Sequence, residues 1–403
     1  MTPSGAISPE MAPGGSAFER MWADLEGVGR DGGTGGYRRY AWTRTDGLLR
    51  EWFRGEAARR GLEVVPDRAG NLWAWTADPD SGGPGLVLGS HLDSVPDGGA
   101  FDGPLGIVSA FAALDRLDRA ALRRPVGIAC FADEEGARFG VACAGSRLLT
   151  GVLDPDRARA LADDDGTTMA EAMSAAGHDP ASVGRDDETL RRVGTFVELH
   201  VEQGRVLVEG SAPVGVASAI WPHGRWRLDL PGRADHAGTT RLADRDDPML
   251  ALATAVLEAR TAAERHGTVA TVGKLRVRPN GVNAIPSEVT AWLDARGADA
   301  DDVRAVVAEV GKAAGVAPVE ESWTPSTEFD ADLRGRLAEL LTAPVLPTGA
   351  GHDAGILAAA GIPTAMLFVR NPTGVSHSPA EHAEEADCRA GVEALAAVIE
   401  ALA

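Results

Sequence analysis

Residues 86–103 read Leu-Val-Leu-Gly-Ser-His-Leu-Asp-Ser-Val-Pro-Asp-Gly-Gly-Ala-Phe-Asp-Gly. The apolar run at 86–88 predicts a buried strand, and the polar residues His91 and Asp102 follow its carboxyl end. Open α/β sheets bind their ligands at the carboxyl ends of the strands. This stretch therefore favours an α/β fold with a polar site along one edge of the sheet.

The same arrangement recurs along the chain. A strand predicted at 126–132 leads into Asp133-Glu134-Glu135, and apolar residues 196–197 precede Glu198 and His200. A further candidate ligand, His377, lies in the segment Ser-His-Ser-Pro near the C-terminal end. Any one of these segments is compatible with a structural turn, but together they supply the donors for a two-metal hydrolase site.

The order of predicted elements divides the chain. Strands and helices alternate up to about residue 210, which is typical of a mostly parallel sheet flanked by helices. From residue 225 the predicted elements instead follow the order β-α-β-β-α-β, which fits an inserted ferredoxin-like α+β domain. The predicted segments are a disordered tail at 1–16, a catalytic domain at 17–211 and 329–403, and a small domain at 212–328.

Composition restricts the partners and the compartment. The chain has 403 residues, a formal net charge of −20 and 44% hydrophobic residues. That charge argues against nucleic acid and anionic membrane surfaces as partners. We expect a cytoplasmic protein, because no signal peptide or membrane span is evident and the three cysteines, Cys130, Cys143 and Cys388, have no CxxC spacing and fit a reducing compartment without structural disulfides.

The donor types indicate which ions would bind. Imidazole and carboxylate ligands without thiolates suit Zn²⁺, with Mn²⁺ or Co²⁺ as alternatives. Two such cations close together activate a water molecule and polarise a substrate carbonyl. Two divalent ions per chain, Zn²⁺ first, are therefore the expected cofactors. Asp93, two residues after His91, is the expected partner of that imidazole.

Seven motifs carry a family resemblance from about residue 18 to the C-terminal end: GSHLDSVPDGGAFDGPLG, FADEEGARFG, ELHVEQG, ADHAGTT, NGVNAIPSEV, GAGHDA and GVSHSPAEH. They resemble the hydantoinase/carbamoylase group of di-zinc amidohydrolases, within the co-catalytic zinc exopeptidases. The resemblance implies a zinc exopeptidase-like fold, a small lid and dimerisation domain, and a homodimer.

The resemblance also implies roles for individual residues. His91, Asp102 and His200 would hold one metal, and Asp102 would bridge to a second that is held by Glu135 and His377. Glu134 would be the general base. His236 would stabilise the oxyanion, and the substrate would contact Gln203, Asn283, Arg296 and His352, with Arg296 on its carboxylate.

The implied substrate is a small ureido (N-carbamoyl) carboxylic acid. Allantoate and an N-carbamoyl-L-amino acid are the two candidates, and we favour allantoate. His200 and Gln203 within HVEQG favour ureido-acid amidases over peptidases, although a dipeptidase or an N-acyl-amino-acid deacylase is the alternative. An alternative of another class is a non-catalytic carboxylate-binding protein. His178 and His266 are expected on the surface, while His223 and His382 stay open.

Overall fold

A computed structural model of the protein describes residues 16–403. The disordered tail predicted at 1–16 lies outside the described residues, apart from Ser16. Two compact units are present. The first comprises the described residues up to Ala217 together with Phe329–Leu346 and His352–Ala403, and the second comprises Ser218–Glu328 and Pro347–Gly351.

The first stretch of the chain contains nine α-helices and six strands within its described residues. The helices are α1 Ala17–Glu26, α2 Arg44–Arg59, α3 Pro79–Gly82, α4 Pro104–Leu114, α5 Ala144–Thr150, α6 Pro155–Ala160, α7 Met169–Ala175, α8 Asp187–Arg192 and α9 Val206–Glu209. The strands are β1 Glu63–Pro66, β2 Leu72–Trp75, β3 Gly85–His91, β4 Val126–Phe131, β5 Val193–Val201 and β6 Val214–Ile220. A 3₁₀ turn covers Arg119–Ala121.

The remaining elements complete both units. They are β7 His223–Pro231, β8 Asp235–His236, α10 Pro248–His266, β9 Val269–Arg278, β10 Ala284–Ile285, β11 Glu288–Arg296, α11 Ala300–Ala314, β12 Val319–Thr324, β13 Thr327–Glu328, α12 Ala331–Leu341, β14 Val345–Thr348, α13 Asp353–Ala359, β15 Thr364–Val369 and α14 Glu385–Leu402. A second 3₁₀ turn covers Leu242–Asp244.

The first unit is built on a sheet with strand order β1-β2-β4-β3-β5-β15-β6. Its centre is parallel, since β3 pairs in parallel with β4 and β5, and β15 pairs in parallel with β5. The outer strands β1, β2 and β6 run antiparallel. This confirms the predicted α/β class with a mostly parallel sheet, and it gathers the carboxyl ends of four strands at one edge.

The central strands form because they are apolar throughout, as strands covered on both faces must be. Every residue of β3, β4 and β15 is buried. Helix α4 is equally apolar and fully buried, and it packs on β3, β5 and α14. The core of the first unit therefore holds β3, β4 and β5 rigidly where their last residues reach the edge.

The second unit has the predicted ferredoxin-like fold. Strands β7, β9, β11 and β12 form an antiparallel sheet in the order β12-β7-β11-β9, and α10 and α11 pack against one another and against it. The alternation along β7 and β11 places Leu228, Leu230, Val289 and Leu293 in a core shared with the two helices. Strand β9 lies at one edge of this sheet.

The polar, aspartate-rich stretch 152–190 forms short helices and loops. Its short helices α6 and α7 bury Ala158, Met169 and Met173 in a separate apolar cluster with Trp42 and Phe139. The few apolar residues are spread among many aspartates, so the pattern does not reveal which side faces inward.

No helix within residues 16–403 combines the length and the apolarity that crossing a bilayer requires.

Candidate metal centre

The candidate metal ligands of the first unit are placed by the ends of its parallel strands. His91 is the last residue of β3 and His200 the last but one of β5, and both side chains are fully buried. Asp102 lies in the loop just before α4. Because β3 and β5 are parallel neighbours, these three side chains reach the same edge of the sheet.

Asp102 occupies the centre of the cluster. Its Oδ1 atom lies 3.0 Å from His200 Nε2 and 3.4 Å from His91 Nε2. Its other oxygen, Oδ2, lies 3.4 Å from His377 Nε2, and that imidazole lies 3.5 Å from Glu135 Oε2. One carboxylate therefore faces two donor groups, His91 with His200 and Glu135 with His377, which is the arrangement that a bridging ligand requires.

The donor atoms fit two divalent cations. The Nε2 atoms of His91 and His200 and the Oε1 atom of Glu135 are buried without a hydrogen-bond partner. Buried polar atoms are rarely left unpaired unless a ligand or ion completes them. Among the described residues, no arginine or lysine forms an ion pair with Asp102, Glu134 or Glu135, so the negative charge at this edge lacks a cationic partner.

The pKa values of the histidines reflect the excess of carboxylates around them. Burial alone would lower the pKa of His91, but the nearby carboxylates of Glu134 and Asp102 raise it well above its usual value. Hydrogen bonding to Asp102 raises the pKa of His377 to about 9. Burial would raise the pKa of Asp102, yet the surrounding imidazoles lower it well below its usual range. Divalent cations bound at these donors would compete with protons for the imidazole nitrogens.

Glu134 and Glu135 follow β4 and serve different sides of the cluster. Asp133 turns the chain with a left-handed backbone, φ 55°. Glu135 then faces His377, whereas Glu134 Oε2 lies 3.7 Å from His91 Nε2 and Glu134 Oε1 accepts a hydrogen bond from Cys143 Sγ at 3.4 Å. Burial raises the pKa of Glu134 well above its usual value. Cations at the neighbouring donors would oppose that shift.

Asp93 organises two ligand segments at once. Nδ1 of His91 lies 3.1 Å from the main-chain carbonyl of Asp93 and 3.5 Å from its carboxylate. The carboxylate oxygens accept the main-chain N–H groups of Glu134, at 3.2 Å, and Glu135, at 3.0 Å. The imidazole is thus oriented mainly by the carbonyl, while the carboxylate ties the loop after β3 to the loop after β4.

Gln203 donates to Asp102, and Ser376 Oγ lies within hydrogen-bond distance of the same carboxylate. Gln203 Nε2 lies 3.0 Å and Ser376 Oγ 3.1 Å from Asp102 Oδ2. Gln203 Oε1 is buried without a partner. Gln203, which is expected to contact the substrate, therefore also orients the Asp102 carboxylate. Ser376 was not among the predicted site residues.

His352 lies beside the first donor group. Its ring centroid is 4.5 Å from that of His200, and both of its ring nitrogens are buried without a partner. Burial and the neighbouring His200 lower the pKa of His352 well below its usual value. Glu198, in β5, is also fully buried and accepts from Ser90 Oγ and from the Ala354 amide, each at 3.0 Å.

In the second unit, His236 presents a defined tautomer. Its Nδ1 atom accepts the main-chain N–H of Gly238 at 3.0 Å, so the neutral ring carries its proton on Nε2. The side chain is exposed, and β8 pairs with β10 so that His236 lies opposite Ala284. Asn283 precedes β10, and its carbonyl accepts the N–H of Ala237 at 2.9 Å.

Arg296 ends β11 and is held in place by its own unit. Its Nε and Nη2 atoms donate to Asp294 at 2.7 and 3.0 Å, and Nη1 donates to the carbonyl of Gly349 at 2.9 Å. A guanidinium has five N–H bonds, so two remain available for another acceptor. His223 lies directly opposite Arg296 in the pairing of β7 with β11.

The remaining histidines lie elsewhere. His266 pairs with Asp302 and Glu309 at 3.2 and 3.1 Å. His178 packs on Trp42, and His382 packs edge-on against Phe101 at a centroid distance of 5.9 Å. None of these three rings belongs to the donor groups of the described residues.

The fold and the donor set define a class: an α/β protein with donor groups that could hold two cations at the ends of parallel strands. Residues 87–401 match the family described as Peptidase family M20/M25/M40. The chain is 36% identical over 408 residues to the N-carbamoyl-L-amino acid amidohydrolase of Geobacillus stearothermophilus, with 94% of this chain and 96% of that protein covered.

Two further comparisons agree. The chain is 33% identical to the allantoate amidohydrolase of Escherichia coli, with 87% of this chain and 89% of that protein covered. It also matches the crystal structure of an amidase of the hydantoinase/carbamoylase family from Burkholderia vietnamiensis, with a TM-score of 0.86, 28% identity, and 96% and 97% of the two chains covered.

The chain belongs to the M20/M25/M40 peptidase family and, within it, to the hydantoinase/carbamoylase amidases. This confirms the resemblance drawn from the seven motifs, and the protein is a hydrolase. The roles of the individual site residues stay predictions.

Proposed function

We propose that the protein hydrolyses a C–N bond of a ureido (N-carbamoyl) carboxylic acid at a two-metal centre. The observation that carries the proposal is the position of Asp102, whose two oxygens face His91 with His200 and Glu135 with His377. Divalent cations bound at these donors, zinc first and manganese or cobalt as alternatives, would lower the pKa of a water molecule and polarise the substrate carbonyl.

Glu134 is the proposed general base. It is buried beside the first donor group without being one of its ligands, and its carboxylate can take a proton from the attacking water. The same carboxyl group then delivers that proton to the leaving nitrogen. Cys143 donates to one of its oxygens, which leaves the other, on the His91 side, for the water.

His236 is proposed to stabilise the developing oxyanion. The hydrogen bond from Gly238 to Nδ1 leaves the Nε2 proton as the donor, which is the polarity an oxyanion requires. Since His236 belongs to the second unit, a copy of that unit, from the same chain or from a partner, must reach the metal centre during catalysis.

Arg296 and Asn283 are proposed to hold the substrate, with Arg296 on its carboxylate. Asp294 and Gly349 fix the Arg296 guanidinium and leave two of its N–H bonds for another acceptor. The side chain is therefore already oriented to bind a carboxylate, which reduces the entropy lost on binding. Gln203 and His352, in the first unit, complete the proposed contacts.

The relatives are named for two different substrates, so an experiment must determine which ureido acid this protein hydrolyses. One is an N-carbamoyl-L-amino acid amidohydrolase and another an allantoate amidohydrolase, at 36% and 33% identity. We favour allantoate. A dipeptidase or N-acyl-amino-acid deacylase is the alternative within the family, because its substrates also present a carboxylate near a hydrolysable C–N bond.

The decisive experiment is a substrate panel on the metal-loaded protein. Allantoate, several N-carbamoyl-L-amino acids, dipeptides and N-acetyl amino acids are incubated separately, and the released ammonia or amine is measured. Ammonia release from a ureido acid, lost on chelation and restored by Zn²⁺, Mn²⁺ or Co²⁺, is expected. Turnover confined to dipeptides or N-acyl acids would favour the alternative, and full turnover by metal-free protein would refute the two-metal mechanism.

The second unit is proposed to form a homodimer interface. Leu250 and Leu257 are each 70% exposed on one side of α10, and the following strand, β9, is an edge strand of its sheet among the described residues and carries the exposed Val269 and Leu275. Exposed apolar side chains beside an unpaired strand edge are characteristic of a surface that another chain covers. Pairing of β9 with a second β9 would bury both features.

A further inference from the structure

A buried carboxylate outside the donor set connects two of the ligand loops. Glu381 is 5% exposed, and its Oε1 atom accepts the main-chain N–H groups of Phe101, at 2.8 Å, and Asp102, at 2.9 Å. Its Oε2 atom lies 3.1 Å from Ser376 Oγ. These contacts join a loop that precedes α4 to a loop that follows β15, about 280 residues apart in sequence.

The contacts of Ser376 extend this connection to the metal donors. Ser376 Oγ lies 3.1 Å from Asp102 Oδ2, and Ser376 immediately precedes His377. Glu381 therefore holds Asp102 directly by its main-chain N–H, and Ser376, whose single O–H proton can be donated to only one carboxylate at a time, lies between Glu381 Oε2 and Asp102 Oδ2. Glu381 makes no such contact with His91 or His200.

We infer that Glu381 is a positioning residue for the second metal, the one that Asp102, Glu135 and His377 would share. This inference rests on the proposed two-metal function. By fixing the Asp102 main chain against the His377 loop, Glu381 sets the separation of two of that ion's three protein ligands. Its loss weakens the second ion more than the first, because His91 and His200 are held by β3 and β5.

Gly99 provides a way to displace Glu381 without changing its charge. A Cβ atom at residue 99 would lie 2.4 Å from both Cβ and Oε1 of Glu381, closer than atoms can approach. Gly99→Ala therefore pushes the carboxylate off its amides. Gly47→Ala is the matched glycine control, since a Cβ there meets nothing within 4 Å. Glu384→Gln is the matched charge control, because that side chain is 60% exposed and pairs only with His382.

The test is titration of the metal-free protein with Mn²⁺ by calorimetry, with thermal unfolding measured on each variant. Wild type is expected to bind two ions. Glu381→Ala and Gly99→Ala should bind one ion with near-native affinity and the other roughly 10–100-fold more weakly, the usual cost of losing a group that orients a ligand. Glu381→Gln keeps an oxygen for the two amides and should recover part of the loss, and both controls should match wild type.

The outcomes separate the two claims. If wild type binds two ions and Glu381→Ala binds both as tightly, the inference is wrong and the proposed function stands. Equal weakening of both ions in a folded Glu381→Ala protein also overturns it, since Glu381 then has no preference for the second site. If folded wild-type protein binds no Mn²⁺, Zn²⁺ or Co²⁺, the proposed function itself fails.

Discussion

At the scale of single residues, the centre depends on the carboxylates Asp102, Glu134 and Glu135, which within residues 16–403 lie against histidines and form no ion pair with an arginine or lysine. Glu134 and Glu135 are adjacent in sequence, yet one faces His91 and the other His377. The turn at Asp133, with its left-handed backbone, and the two N–H bonds to Asp93 fix that division. The two glutamates should therefore respond differently to the same substitution.

Glu134→Gln is expected to remove catalysis and keep the metals. The amide has the shape of the carboxylate but cannot accept the proton, so kcat should fall by about 10²–10⁴. Turnover of the ureido acid and metal content, by elemental analysis, are measured together. Glu135→Gln is the comparison, and it should lose metal as well as activity. Near-normal turnover in Glu134→Gln, or loss of both metals, would exclude Glu134 as the base.

Arg296→Ala is expected to lower kcat/KM for the acid substrate by roughly 10–100-fold, since a charge-assisted hydrogen bond contributes about 1.5–3 kcal/mol. Arg296→Lys should recover only part of this, because an ammonium lacks the planar fork. The measurement compares an acid substrate with its neutral amide in wild type and variants.

Arg276→Ala, on the neighbouring strand β9, is the control for this comparison, and it should keep the preference for the acid. If wild type shows no such preference, or Arg296→Ala retains it in full, then Arg296 does not bind the carboxylate.

The sequence predicts residues whose type and position after a strand already indicate a role better than residues whose role depends on distant main-chain groups. His91, Asp102, His200 and Glu135 follow strands or open loops within recognisable motifs, and the structure brings them together. In the sequence, Glu381 is one of several acidic residues near the last helix, and nothing in the local pattern distinguishes it from them. Its acceptor role depends on amides about 280 residues away, which no local pattern encodes.

At the scale of elements, the close packing of α4 on the sheet determines where the strand ends lie. Long periodic segments such as α10, α11, β7 and β11 were predictable, because each alternates between one buried and one exposed side. The short strands β1 and β2 and the helices α6 and α7 were not, since four to seven residues cannot establish a period.

Gly106→Ala is expected to destabilise the first unit. A Cβ at this position of α4 would lie 2.3 Å from the Leu199 carbonyl oxygen and 2.7 Å from Ser90 Cβ, so the helix must move away from β3 and β5. Overpacking of this kind costs about 1–3 kcal/mol. The free energy of unfolding is measured by denaturant titration followed by circular dichroism.

Gly335→Ala is the matched control for this substitution. Gly335 lies within α12, where a Cβ meets nothing within 4 Å, so alanine there should be neutral or stabilise by up to about 1 kcal/mol. Equal effects of the two substitutions would show that helix propensity, and not contact with the strands, decides the result.

At the scale of the whole molecule, catalysis as proposed uses both units. The metal donors and Glu134 belong to the first, while His236 and Arg296 belong to the second. The second unit has its own core of side chains from β7, β11, α10 and α11, so it can present its site residues as a rigid body. The exposed leucines of α10 in the second unit support the proposed association between chains.

Leu257→Asp is expected to convert a homodimer into a monomer. Residues 250 and 257 are seven apart, so they lie on one face of α10, and a carboxylate there would be buried in the interface without a partner. Molar mass is measured by light scattering during size-exclusion chromatography over a range of concentrations. Leu340→Asp is the matched control, because Leu340 is 45% exposed on α12 in the first unit, and it should leave the dimer intact. A wild-type chain that is monomeric at micromolar concentration, or a Leu257→Asp chain that remains dimeric, would show that the apolar face of α10 is not the interface.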